Sequence, residues 1–207
     1  MLRAFWQKRP QRKPPSAEAP LYRTEFTPRI LSFGKVHCAI DYDLANLAMV
    51  EVDGGYVAID AGSNRQVAGK VASAWRDRGG GPPRALIYTH SHPDHIGGAA
   101  EFLAQDAALD VWGHQAFLRE LEETQLLPSA YFRRGAMLFG YGLPSRQVLS
   151  NGIGPPLRIS AAPSAPLCPP GRLVAEFAEF TAGGVRFELH AAPGETRDHL
   201  FIWLPED

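Results

Sequence analysis

The 207-residue sequence has little of what marks several protein classes. Its two cysteines, Cys38 and Cys168, lie far apart and match no paired redox or metal-binding spacing. It has 21 Lys and Arg against 22 Asp and Glu, so no excess of positive charge predicts binding to nucleic acid or to an anionic membrane. No apolar run approaches the roughly eighteen residues that a membrane-spanning helix requires. These shortages indicate a soluble globular enzyme or binding domain.

The N-terminal segment lacks the apolar stretch of a secretion signal, which favours a cytoplasmic location. Residues 1–20 instead carry five basic side chains and four prolines. Such a segment buries too little apolar surface to offset its chain entropy, so we predict a flexible arm over residues 1–24. A targeting peptide or an anion-binding tail is the alternative. Residues 25–207 are then expected to form one domain.

Three common catalytic motifs are also missing. The sequence contains no G-x-S-x-G nucleophile turn, no phosphate-binding P-loop and no G-x-G-x-x-G after a predicted strand. These absences argue against a serine hydrolase of the usual kind, a P-loop nucleotidase and a dinucleotide-binding enzyme.

Runs typical of strands alternate with the periodicity of helices. We predict strands at residues 36–40, 47–52, 56–59, 85–88, 111–112, 173–180, 185–190 and 199–204, and helices at 64–78, 96–105, 114–124 and 131–139. The alternation favours a layered α/β domain. Residues 142–171 contain seven prolines and four glycines, which predicts a long loop without regular structure.

The strongest chemical signal is an H-x-H-x-D-H cluster formed by His90, His92, Asp94 and His95. It follows a predicted strand and precedes a predicted helix, the place where open α/β sheets bind ligands. In an extended segment, His90 and His92 project to the same side and can bind one ion. Asp94 and His95 lie where the chain turns into the helix and can hold a second ion. Imidazole and carboxylate donors at this density favour zinc, and the alternative is an exposed polar loop.

The sequence resembles the metallo-β-lactamase superfamily, whose hallmark is this cluster after a short strand. Residues 57–62, 111–114 and 189–196 also resemble segments of that superfamily. Within it, the sequence is most similar to the alkylsulfatase-like hydrolases, in residues 25–30, 43–46, 87–92, 133–143 and 193–206.

The resemblance implies a metallo-β-lactamase-like αββα sandwich with a binuclear zinc site. Glu195 would complete the first zinc site with His90 and His92, although a Glu in a turn can also serve as a cap. Asp60 would orient a metal-binding histidine or the loop backbone. Tyr141 would touch the sulfate group of the substrate, or lie in the core. Asp94 would take part in catalysis as well as in metal binding.

The implied activity is hydrolysis of alkyl sulfate esters by a metal-activated water. The family pattern continues with further ligands after His199, so the resemblance also implies that this sequence is the N-terminal part of a longer pattern, without its closing elements. Hydrolysis of a lactone, thioester or phosphoester, or zinc binding without catalysis, are the alternatives. Assembly into a homodimer is left open.

Overall fold

A computed structural model describes residues 25–140, 143–144, 154–155 and 166–206. The strands of this part are β1 (Arg29–Phe33), β2 (Val36–Ile40), β3 (Leu47–Val52), β4 (Gly55–Ile59), β5 (Pro83–Ile87), β6 (Asp110–His114), β7 (Arg172–Val174), β8 (Phe177–Ala182), β9 (Val185–Ala191) and β10 (Leu200–Trp203). The helices are α1 (Arg65–Asp77), α2 (Pro93–Ile96), α3 (Ala99–Leu103), α4 (Phe117–Leu126) and α5 (Pro128–Phe139). None of these helices is both long enough and apolar enough to cross a lipid bilayer.

Strands β1 to β7 form one sheet in chain order. Strands β1 to β4 are antiparallel, and the turns before β2 and β4 contain Gly34 and Gly54 in the left-handed region, with φ of +60° and +77°. Strands β4 to β7 are parallel. The connections between parallel strands must cross over the sheet, and helices occupy them here. The carboxyl ends of β4, β5 and β6 therefore lie along one edge.

Helices cover one face of this sheet. Helix α1 begins after Asn64, whose side-chain oxygen accepts a hydrogen bond from Val67 N at 3.0 Å. Its buried face, which includes Val71 and Trp75, packs into a core with side chains of β3 to β6. Phe117 at the start of α4 is buried in the same core.

Strands β8, β9 and β10 form a second, antiparallel sheet against the other face. Phe187 and Leu189 of β9 are fully buried between the sheets, and Trp112 stacks on Phe180 with 4.6 Å between ring centroids. On the outer face, Phe201 and Trp203 are about half exposed. The mixed α/β prediction is confirmed, and the described residues build helix, sheet and sheet layers. A helix layer outside the second sheet is not formed by this part of the chain.

The strand predictions for β2 and β3 are confirmed residue for residue. Most other predicted elements have ends that differ by one to three residues, β1 was not predicted, and two elements predicted as single pieces were wrong. The single helix predicted at 96–105 is two short helices, α2 and α3, because the chain breaks at Gly97 and Gly98. The single strand predicted at 173–180 is β7 in the first sheet and β8 in the second. The predicted arm, residues 1–24, and most of the predicted loop, residues 142–171, lie outside the described residues.

Candidate metal centre

Two loops from different sheets meet at the carboxyl edge of the parallel strands. The first, residues 88–92, joins β5 to α2 and carries His90 and His92. The second, residues 192–199, joins β9 to β10 and carries Glu195. Leu200 N donates a hydrogen bond to Thr89 O at 2.8 Å, which fixes the base of the second loop against the first. The fold thus brings together side chains that are distant in sequence.

His90, His92 and Glu195 converge. One ligand atom from each lies within 4.8 Å of the others, the only such group of three found among the described residues. His92 Nδ1 lies 3.4 Å from Glu195 Oε1, and His90 Nε2 lies 3.9 Å from Glu195 Oε2. Zinc bonds to nitrogen and oxygen are about 2.0–2.2 Å long, so ligand atoms around one ion lie some 3–4 Å apart. The three side chains fit a zinc ion with little rearrangement.

The hydrogen bonds of His90 leave Nε2, the nitrogen that faces Glu195, free to bind a metal. Thr89 Oγ1 lies 2.8 Å from Asp60 Oδ2 and 3.0 Å from His90 Nδ1. Because a carboxylate only accepts, the Thr89 hydroxyl donates to Asp60, and its oxygen accepts from His90 Nδ1–H. His90 Nε2 then carries a lone pair, and it is buried without a hydrogen-bond partner. A buried polar atom of this kind is expected where a ligand binds.

Asp60 connects His90 with His95, one histidine from each predicted pair of ligands. Its carboxylate accepts hydrogen bonds from Thr89 N at 2.8 Å, from Thr89 Oγ1 and from His95 Nδ1 at 2.7 Å. The Asp60 backbone lies in the left-handed region, with φ of +63°, which Asp tolerates better than most residues. We infer that Asp60 orients His95 directly and His90 through Thr89.

Asp94 and His95 lie beside the first group on α2. His95 Nε2 is 3.7 Å from Asp94 Oδ2, while Nδ1 is held by Asp60. The nitrogen that faces Asp94 is therefore the one available to a metal. Within the described ranges, no third His, Cys, Asp or Glu joins these two in a compact group.

His90, which is buried, and His95, which is partly buried, differ in electrostatics. Burial, together with the charges of His95, His92 and His199, lowers the pKa of His90 to about 3. Burial also acts to lower the pKa of His95, but the hydrogen bond and charge of Asp60 outweigh it and raise the pKa. Without metal, His90 is neutral at pH 7, and His95 holds its proton to higher pH than a free histidine.

Other histidines near the edge have different surroundings. His199 packs against His90 with ring centroids 4.6 Å apart, and its Nδ1 is buried without a hydrogen-bond partner. His114 Nδ1 accepts a hydrogen bond from Ala116 N at 3.1 Å, a local capping contact. Tyr141, the predicted sulfate-binding residue, lies outside the described residues.

Sequence reasoning missed Thr89. This residue links Asp60 to His90, yet a lone Thr before a histidine gives no signal of that role without the side-chain geometry. Arg197 was missed as well. It lies two residues from Glu195 and forms ion pairs with Glu120 and Glu123 of α4. The signal available in the sequence was that Arg197 lies close to the predicted ligand Glu195.

Residues 41–207 match the family model described as the metallo-beta-lactamase superfamily. The chain belongs to this superfamily. The superfamily typically binds metal, which agrees with the donor set formed by His90, His92 and Glu195.

Several relatives of this member of the metallo-β-lactamase superfamily are named as sulfatases. It is 22% identical over 166 residues to a linear primary-alkylsulfatase of Pseudomonas sp. (strain ATCC 19151), covering 77% of this chain and 31% of the relative. It is 28% identical over 174 residues to an alkyl/aryl-sulfatase of Saccharomyces cerevisiae, covering 79% and 26%. The solved structure of a stereoselective inverting sec-alkylsulfatase from Pseudomonas sp. shares the fold, with a TM-score of 0.73, 23% identity and coverage of 86% and 30%. The chain spans between a quarter and a third of these proteins.

Proposed function

We propose that this chain forms the metal-binding domain of a hydrolase that cleaves alkyl sulfate esters at a binuclear zinc site. The observation that carries the proposal is Glu195, a carboxylate that completes a three-donor group with His90 and His92. The alkylsulfatase-like branch, which the sequence resembles, has an acidic ligand at this place. The sulfatase names of its relatives support the same substrate class.

In this proposal His90 and His92 hold the first ion with Glu195, and Asp94 and His95 hold part of the second. Bound zinc supplies positive charge that stabilises the departing sulfate and favours ionisation of a water molecule. Hydrogen bonds within the protein set the protonation of the ligand His90 before zinc binds. Asp60 and Thr89 keep Nδ1 of His90 protonated. Nε2 of His90 therefore carries the lone pair, and no hydrogen bond occupies it. Asp94, as a carboxylate, can in addition accept the proton that water gives up.

The proposed reaction converts an alkyl sulfate and water into an alcohol and hydrogen sulfate. Zinc content and sulfate release from a medium-chain alkyl sulfate test it, with the 207-residue chain and with its His92→Ala variant. We expect zinc to be bound by the chain and lost from the variant, and sulfate release to depend on that zinc. A chain that binds no zinc would contradict the metal site.

The alternative activities come from the superfamily itself, since the family match alone does not specify a substrate. A panel containing a lactone, a thioester and a phosphoester alongside the alkyl sulfate distinguishes them. Faster turnover of any of these esters than of the alkyl sulfate would contradict the proposed substrate class. Zinc binding with no turnover of any ester would favour a non-catalytic role for this chain.

A further inference from the structure

The position of Glu195 depends on its loop. Its side chain is 63% exposed, and among the described residues its carboxylate forms ion-pair contacts only with His90 and His92. Before a metal binds, these contacts join the carboxylate of Glu195 to the buried, neutral imidazole of His90 and to the half-buried imidazole of His92. Such contacts restrain the Glu195 side chain only weakly. The base of the loop is closed by the hydrogen bond from Ala192 N to His199 O at 2.9 Å. Gly194 N donates to Thr196 O at 3.0 Å across Glu195, but this bond joins the outer part of the loop only to itself. A contact with another element would restrain that part of the loop.

Arg197 supplies such a contact. Its Nε lies 2.8 Å from Glu120 Oε1, and its Nη2 contacts Glu123 Oε2. Both carboxylates belong to α4, more than seventy residues earlier in the chain. One guanidinium therefore pairs with two carboxylates on successive turns of a helix, and its contact with Glu120 is an ion pair without hydrogen-bond geometry.

Helix α4 is itself attached to the metal loop. Phe117 in its first turn is buried and stacks on Tyr88, with ring centroids 5.4 Å apart. Tyr88 directly precedes Thr89 and His90. Glu120 lies one turn after Phe117, and its side chain is only 14% exposed. A continuous set of contacts thus runs from the histidine loop through α4 to the loop of Glu195.

We propose that Arg197 is a positioning residue, which fixes the 192–199 loop to α4 and so directs Glu195 toward His90 and His92. The inference rests on the proposed metal site. Arg197 acts through the loop, since its own guanidinium is neutralised by Glu120 and Glu123. Removing it leaves the three ligands present but lets the loop sample positions in which Glu195 is withdrawn.

Zinc affinity measured by chelator competition tests the inference. We expect Arg197→Ala and Glu120→Gln each to weaken zinc binding about tenfold, the lower end of what the loss of an outer partner of a metal ligand costs. Arg172→Ala is a matched control, because Arg172 is similarly exposed and pairs with Asp110 at 2.9 Å far from the loop. The control should bind zinc as the unaltered chain does. Unchanged affinity in Arg197→Ala would overturn the inference.

A double-mutant cycle separates positioning from general stabilisation. If Arg197 acts through Glu195, then Arg197→Ala should cause no further loss of zinc affinity in a Glu195→Gln background. Additive losses would overturn the inference. The urea midpoint of the metal-free Arg197→Ala variant reports general destabilisation separately, since Glu120 is only 14% exposed and loses its charged partner in that variant.

Amide hydrogen exchange of the metal-free proteins distinguishes failure of this inference from failure of the proposed function. Faster exchange of the 192–199 amides in Arg197→Ala than in Arg172→Ala supports the restraint, and equal exchange overturns it. Both results hold without zinc. An unaltered chain that binds no zinc would contradict the proposed function, and the exchange rates would then decide on the restraint alone.

Discussion

The two pairs of predicted ligands in the H-x-H-x-D-H cluster are held in different ways. His90 and His92 face Glu195, a donor from the loop of the other sheet. Nε2 of His90 is buried there without a hydrogen-bond partner. Asp94 and His95 face each other on α2, and Asp60 holds His95 from the side opposite Asp94. The three donors of the first group are already arranged around a position for one ion. The second is a rigid pair of donors that needs further ligands to close a site.

The same contrast appears in the charge states. Burial lowers the pKa of His90 to about 3, so no proton competes with a metal there at neutral pH. Asp60 raises the pKa of His95, so a proton competes with a metal at the second position up to a higher pH than at a free histidine. The first group should therefore bind zinc more tightly, and with less dependence on pH, than the second pair.

The largest expected effect comes from removing a ligand of the first group. Glu195→Gln should weaken binding of the first zinc ion by more than about a hundredfold, beyond the loss that follows removal of an outer partner. His190→Ala is the control, because His190 lies on β9 and contacts Glu188 and Phe177, not the site. Chelator competition gives both affinities. Equal affinities for the two variants would show that Glu195 is not a ligand.

Asp60 should matter more for folding than Asp94 does. Asp60→Ala leaves Thr89 N–H, the Thr89 hydroxyl and His95 Nδ1 without their buried acceptor, and each such loss costs about 1–3 kcal/mol before relaxation. We expect a free energy of unfolding about 2–3 kcal/mol lower in Asp60→Ala, and less than about 1 kcal/mol lower in Asp94→Ala. Urea unfolding in the presence of a chelator measures both. A larger loss in Asp94→Ala would reverse the comparison.

The glycines after His95 hold the second pair against the Asp60 loop. A Cβ on Gly97 would lie 2.1 Å from Ser63 O, a backbone atom that has no room to move. Gly97→Ala should therefore lower the free energy of unfolding by about 2 kcal/mol, as overpacking does, and loosen the contact of His95 with Asp60. At Gly171 a Cβ meets nothing within 4 Å, so Gly171→Ala should unfold like the unaltered chain. Equal urea midpoints for the two variants would contradict the close approach.

Spacing predicted part of this site and could not predict the rest. The two-residue separation of His90 and His92 predicts that they face the same side, and the structure has them 4.7 Å apart between ring centroids. Glu195 follows about a hundred residues later, and only the resemblance pointed to it. No local pattern indicates which loop of the second sheet will reach the first.

The errors have a similar origin. The helix predicted at 96–105 had suitable apolar spacing, but the backbone oxygens of residues 63 and 61 lie 2.1 Å from where the Cβ atoms of Gly97 and Gly98 would be. The requirement for two glycines comes from that tertiary contact, which a helix pattern does not contain. Strands β7 and β8 were joined in the prediction because periodicity along the chain does not reveal a change of sheet.

The smallest expected effect concerns protonation in the metal-free chain. Asp60→Asn keeps an acceptor oxygen and a residue type that tolerates positive φ, but removes the charge that raises the pKa of His95. The His95 midpoint, followed by NMR of the imidazole protons, should lie above 6.5 in the unaltered chain and fall in the variant. Asp94→Asn should lower it less, because Asp94 contributes after Asp60. His90 should not titrate between pH 5 and 8 in any of the three proteins.

These shifts fix the sign of the pH dependence of stability. The raised pKa of His95 contributes stability that is fully present below about pH 6.5 and is lost as the pH rises through the folded-state pKa. The lowered pKa of His90 acts in the opposite sense, because acidification from about pH 6.5 toward 3 protonates the unfolded chain but not the folded one. Asp60→Asn should therefore lose more stability at pH 6 than at pH 9, relative to the unaltered chain. A loss that does not change with pH would contradict the inference that the charge of Asp60 raises the pKa of His95.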